Sequence, residues 1–158
     1  MSFDLSENVI DSRDIIAEIE RLESEIEDLE TEKDDLETDI AEIREETDLG
    51  EGDESLADQY KRAAEIDDEL ADLKEELKPL KDIEDQCEGY CDDWRHGASL
   101  ISENYFTEYT EELARDCGMI TGDSCAWPLN CIDWDVAADE LKQDYTTVEI
   151  DDYTFYVR

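Results

Sequence analysis

The sequence predicts a mostly α-helical protein. An N-terminal coiled-coil helical hairpin over residues 1–86 precedes a small α+β domain over 87–158 that closes in a β-hairpin. Three observations carry this reading. Apolar residues keep heptad time through the first half, a glycine-bearing break splits that pattern into two runs, and aromatic and β-branched residues replace the heptads after about residue 86.

The first run is Ile15, Ile19, Leu22, Ile26, Leu29, Leu36, Ile40 and Ile43, stepping alternately by four and three, with Lys33 at the single break in the seam. Ile19, Ile26 and Ile40 fall at heptad position a, and Ile15, Leu22, Leu29, Leu36 and Ile43 at d. Such a seam favours two strands, and a lysine at a is a device for fixing register and partner number. The segment Thr47 to Glu54, with Gly50 and Gly52, interrupts the pattern. A second run then passes through Leu56, Ala63, Ile66, Leu70, Leu73, Leu77, Leu80 and Cys87. Two such runs joined by a short loop point to an antiparallel intramolecular hairpin, with a parallel dimer as the rival; a hairpin that also forms a homodimer satisfies both signals. Pro79, inside the second run, is expected to kink or divide that helix.

Beyond residue 86, Ser102 to Cys117 reads as an amphipathic helix with Phe106, Tyr109 or Thr110, and Leu113 on one face and Gly118 as its stop. Asp133 reads as the N-cap of a helix carrying Val136, Ala137 and Leu141. The final TTVEIDDYTFYVR reads as two strands turning at Asp151-Asp152. Tyr105, Phe106, Trp127 and Trp134 are expected to serve the core.

Charge constrains function more than the elements do. The chain holds 51 acidic and 13 basic residues, a net charge of −38 on 158 residues. A polyanion of this kind does not bind nucleic acid or an anionic membrane leaflet directly. A disordered acidic segment, a divalent-cation sponge and a decoy with a DNA-like charge array remain. With 39% hydrophobic and 8% aromatic residues and only 2 prolines, the composition argues against disorder. No run approaches the ~18 apolar residues of a membrane span. The N-terminus lacks the basic and apolar regions of a secretory signal, so a cytoplasmic location in the host cell is expected.

Chemistry finds little foothold. Five cysteines without a secretory signal suggest reduced, buried structural thiols. Cys87, Cys91 and His96 have spacing that allows three zinc ligands, but Cys117, Cys125 and Cys131 supply no paired Cys-x-x-Cys motif, and no metal or other cofactor is expected. His96 reads as a surface or capping residue beside Arg95. The acidic stretch Asp48 to Glu54 lacks the ligand spacing of a calcium loop. There is no nucleophile motif and no phosphate-binding loop, so catalysis is not expected.

The excess acid runs through both parts. Residues 1–86 carry 34 acids and 9 bases, and residues 87–158 carry 17 and 4. The first helix, residues 13–47, holds 16 acids and 4 bases over roughly 50 Å at ~1.5 Å per residue. With the net −6 of residues 55–86 alongside, the hairpin has about one net charge per 3 Å, against about one per 1.7 Å for duplex DNA. A merely solvated coiled coil interleaves acids with bases, which this chain does not.

Residues from about Tyr105 to Arg158 resemble the C-terminal domain of the ArdA antirestriction proteins, acidic DNA mimics of phages and mobile elements. The resemblance rests on FTEYTEELARDCGMI (Phe106 to Ile120), WPLNCIDWDVAADEL (Trp127 to Leu141) and DYTTVEIDDYTFYVR (Asp144 to Arg158). An acidic coiled coil stands where that family has its N-terminal parts. The resemblance implies an activity class, occupation of the DNA-binding channel of a type I restriction-modification enzyme. The expected function is that of a non-enzymatic DNA mimic that inhibits a host DNA-binding defence complex, such an enzyme or a CRISPR effector, since both present basic channels. The expected DNA-mimic surface comprises Glu18, Glu25, Asp28, Glu32, Asp35, Glu37, Asp39 and Glu42 on the coiled coil. Glu108, Glu111, Glu112, Asp133, Asp135, Asp139 and Glu140 extend it on the ArdA-like part. The alternative is an acidic coiled-coil adaptor whose charge only keeps it soluble.

Overall fold

The computed structural model describes residues 3–47, 56–122 and 126–158. The expected hairpin loop at Thr47 to Glu54 and Cys125 lie, but for Thr47 itself, outside the described residues. The elements run in the order β1 (Val9–Asp11), α1 (Ser12–Thr47), α2 (Ala57–Cys87), α3 (Trp94–Gly97), β2 (Ser99–Ser102), α4 (Phe106–Asp116), α5 (Trp134–Leu141), β3 (Thr146–Ile150) and β4 (Tyr153–Val157). The protein is mostly α with a small antiparallel sheet, the class its sequence predicts.

The chain divides into two compact units: residues 18–80, and residues 1–17 together with 81–158. The boundary is thus not a single cut at residue 86. β1 uses a segment assigned by sequence to the hairpin, because Val9 to Asp11 pair antiparallel with β2 from the other end of the chain. The start of α1 is held there too. Buried Ser12 accepts from the Ala98 N–H at 2.8 Å and donates its hydroxyl to the Trp94 carbonyl at 2.6 Å, while its own N–H donates to the Ala98 carbonyl.

Within residues 18–80, α1 and α2 run antiparallel as an intramolecular hairpin. Glu30 pairs with Lys74 at 2.7 Å and Lys33 with Asp67 at 2.6 Å, so position falls on α2 as it rises on α1, and Arg62 reaches Glu32 at 2.8 Å from nearer the start of α2. The heptad residues form the seam: Ile26, Ile66 and Leu70 are buried together, with Leu29, Leu36, Leu73 and Leu77 packed against them. Lys33, at position a, keeps its ammonium at the edge of this seam, held by Asp67 and, at 3.7 Å, by Glu37. Pro79 does not divide α2, which continues to Cys87. Its missing N–H costs one intrahelical bond, and the packed seam on either side tolerates that loss.

The other unit is built on a four-stranded antiparallel sheet in the order β1-β2-β4-β3. The terminal hairpin forms as expected, with Ile150 opposite Tyr153 and Asp151 in the left-handed region at φ 49°. Val148 and Ile150, and Phe155 and Val157, alternate into the core. Adjacent Leu100 and Ile101 on β2 are both buried, so the sheet is covered on both faces there. Edge strand β3 is capped by the Gln86 amide, which exchanges two 3.1 Å hydrogen bonds with the Glu149 backbone.

α4 is shorter than expected, because Ser102 ends β2 and a 3₁₀ turn spans Glu103–Tyr105. Phe106 and Thr110 are its buried face, and Gly118 follows it at φ 70°. Phe106 packs with Ile101 and Ala138 and meets Tyr109, Tyr145 and Tyr156 with ring centroids 4.8–5.6 Å apart. Asp133 caps α5 by accepting from the Val136 N–H at 3.2 Å. Val136 is 56% exposed, and Ala138 is the buried residue of α5. Of the four aromatic residues expected in the core, Phe106 is buried and Tyr105 and Trp134 half-buried, while Trp127 is 81% exposed.

Candidate acidic interaction surface

The coiled-coil geometry sorts the acids of α1 by heptad position. With Ile19, Ile26, Lys33 and Ile40 at a, Glu18, Glu25, Glu32 and Asp39 occupy g, beside the seam, and Asp28, Asp35 and Glu42 occupy c, on the outer face. Glu37 falls at e, on the opposite flank of the seam. Seven of the eight expected α1 residues therefore share one stripe. Glu25 to Glu42 advance along it by alternating three and four residues, about one carboxylate per 5 Å of helix axis.

Their environments differ along the stripe. Glu18 and Glu25 are held by Arg21 at 2.9 and 2.6 Å. Glu32 is held by Arg62 of α2. The guanidinium hydrogen bonds keep Glu18 and Glu32 below the ordinary glutamate range. Glu37 meets Lys33. Asp28, Asp35, Asp39 and Glu42 are exposed and form no ion pair or side-chain hydrogen bond among the described residues. Heptad logic also identifies residues not singled out from the sequence: Asp68, Asp72 and Glu75 lie at f, c and f of α2, exposed and equally unpaired among the described residues. A shallow groove of about 440 Å³ on the hairpin is lined by Glu30, Asp34, Glu37 and Asp67 around Lys33 and Lys74, with Leu70 and Ala71 beneath.

In the other unit, α4 presents Glu108 and Glu112 in the open and Glu111 half-buried. Glu111 binds Arg115 at 2.6 Å and Glu112 accepts from the Tyr105 hydroxyl, raising the Tyr105 phenol to about 12. On α5, Asp133 is spent on its cap, Asp135 accepts from Thr107 at 3.1 Å, and Asp139 sits 3.5 Å from Lys142. Glu140 and Glu108 are exposed without such partners among the described residues. The Thr107–Asp135 bond brings the N-terminal ends of α4 and α5 together.

Among the described residues, no group of three or more His, Cys, Asp or Glu side chains is arranged to hold a metal ion. His96 is exposed in α3, as expected of a surface residue. The expectation of buried thiols fails for half of the described cysteines: Cys87 is buried and Cys91 half-buried, but Cys117 and Cys131 are exposed, because α4 ends before Cys117 and Cys131 closes a surface turn. No described helix is long and apolar enough to cross a membrane.

Burial pushes the Cys87 thiol from 9.0 up to about 12, with the nearby Cys91 adding to the shift. A thiol held protonated in the fold stabilises it fully below pH 9, and that contribution is lost as pH rises from 9 towards 12. Urea midpoints are therefore expected to fall across this window and to fall less in Cys87→Ala. A thiol reagent at pH 8 is expected to modify Cys117 and Cys131 well before Cys87.

Mutual repulsion among the unpaired carboxylates yields a second expectation. The screening length is about 30 Å at 0.01 M salt and about 3 Å at 1 M. Raising salt across that range is expected to increase the melting temperature, the reverse of a fold held by surface ion pairs, and scanning calorimetry reads the sign directly.

No protein-family profile, curated protein or solved structure matches the chain.

Proposed function

We propose that the protein is a non-enzymatic DNA mimic that inhibits a host DNA-binding defence complex, a type I restriction-modification enzyme or a CRISPR effector, by occupying its DNA channel in the cytoplasm. The observation that carries this reading is the α1 stripe. Its outer row, Asp28, Asp35 and Glu42, with Asp39 beside it, points carboxylates to solvent at heptad spacing and leaves them unneutralised among the described residues. The α1 and α2 segments of residues 18–80 hold 23 acids against 7 bases, about one net charge per 3 Å of hairpin, within a factor of about two of duplex DNA. As in duplex DNA, the array is carried on an ordered scaffold, so little backbone ordering is needed on binding. The ArdA resemblance of residues 105–158 supports the same activity class. Self-association of the hairpin into a homodimer would double the array.

A pull-down from bacterial lysate, with and without competing duplex DNA, tests this reading. Capture of a DNA-dependent defence enzyme that duplex DNA releases is expected. Partners that remain bound in excess DNA and in high salt would favour the adaptor reading.

A further inference from the structure

We propose that Trp127 is an anchor that enters an apolar socket bordered by lysine and arginine side chains on the basic partner. This proposal rests on the DNA-mimic reading and adds to it a contact that selects among cationic channels.

Three observations converge on this residue. Trp127 is 81% exposed, whereas Trp94 is buried and Trp134 half-buried, so one indole alone faces solvent. Met119, at 78%, and Val136, at 56%, lie on the same stretch of chain between the end of α4 and the first turns of α5. Half of the six large apolar residues that are exposed among the described residues thus fall within 18 positions.

The backbone around Trp127 is also held in place. Asn130 N–H donates to Ala126 O at 3.0 Å, Cys131 N–H to Pro128 O at 3.0 Å and Ile132 N–H to Leu129 O at 3.1 Å. On a braced backbone only the two side-chain torsions of the indole remain to be fixed on docking, and tryptophan is among the residues most enriched in binding hot spots.

Charge complementarity identifies the kind of partner. Residues 87–158 carry 17 acids and 4 bases. Of those bases, Arg95 is taken up by Glu88, Arg115 by Glu111 and Lys142 by Asp139. The unit that carries Trp127 is therefore strongly acidic, and a partner with lysine and arginine side chains around its socket is the complementary one. Those same cations have favourable positions over the indole face. A carboxylate array gives attraction to every basic channel alike, whereas a shaped apolar insertion favours only a channel with the matching slot.

The test uses the full-length chain, fluorescently labelled, against a purified type I restriction-modification enzyme and, separately, a purified CRISPR effector complex, read by anisotropy. Trp127→Ala is expected to weaken binding about tenfold or more, and Trp127→Phe to recover most of that loss. The dependence of affinity on salt is expected to match that of the unaltered chain, because no charge has changed. Circular dichroism of both variants is expected to be unchanged, the side chain being exposed. Trp127→Ala binding as tightly as the unaltered chain would overturn the anchor and leave the mimic standing. Failure of the unaltered chain to bind either target in competition with duplex DNA would overturn the mimic, and the anchor with it.

Discussion

Replacing Asp28 and Asp35 by Asn, Asp39 by Asn and Glu42 by Gln together is expected to weaken binding to a cationic DNA channel by about 10- to 100-fold. Each exposed carboxylate contributes only about 0.3–0.7 kcal/mol, so four acting in one direction give roughly 1–3 kcal/mol. These four are chosen because nothing among the described residues neutralises them. Neutralising Glu18, Glu25 and Glu32 instead is expected to cost less affinity, because their charge is already shared with Arg21 and Arg62. The quadruple variant is also expected to be at least as stable as the parent in low salt, since like charges at i, i+4 and i, i+7 have been removed. Isothermal titration at 0.1 M salt, alongside thermal melts, separates the two effects. A single substitution that abolished binding while the quadruple change had little effect would replace a distributed array with a specific site.

The second large effect concerns the fold. Phe106→Ala is expected to destabilise the sheet-containing unit by about 3–5 kcal/mol, as for other buried aromatic truncations. Phe106 is fully buried and is the hub on which Tyr109, Tyr145 and Tyr156 converge. Lys142, whose ammonium lies 5.8 Å from its ring centroid and 5.1 Å from that of Tyr156, would lose one of its two aromatic partners. The Tyr109–Tyr145 hydroxyl bond, in a setting whose burial raises the Tyr145 phenol, would lose its support. Near-ultraviolet circular dichroism in urea reads this loss through the tyrosines. Thr107→Ala, at the half-buried neighbouring position, is expected to change the midpoint far less.

Local periodicity made some elements readable from the sequence and left others hidden. The heptads from Ile15 to Ile43 and from Leu56 to Cys87 specify both helices and their seam, because each residue's role depends on neighbours three and four places away. Asp133 as a cap, Gly118 as a stop and Asp151-Asp152 as a turn were readable for the same reason. β1 and β2 were not. Each has three or four residues, too short for a pattern, and β1 exists only because Val9 and Ile10 meet Ile101 and Leu100 some 90 positions away. The domain boundary was misplaced in consequence. Trp127 was expected inside, yet burial depends on which side of a short helix or turn packs, and on α5 it is Ala138, not Val136, that is buried. At the candidate surface the sequence supplied the charges, but the structure distinguishes carboxylates tied to arginines from those left open.

Competition between the full chain and duplex DNA for one purified type I restriction-modification enzyme, measured from about 0.05 to about 0.5 M salt, decides whether the protein acts as a DNA mimic. Mutually exclusive binding is expected, with affinity for the chain falling steeply as salt rises, in parallel with affinity for DNA. A ternary complex of enzyme, DNA and chain, or an affinity indifferent to salt, would contradict it.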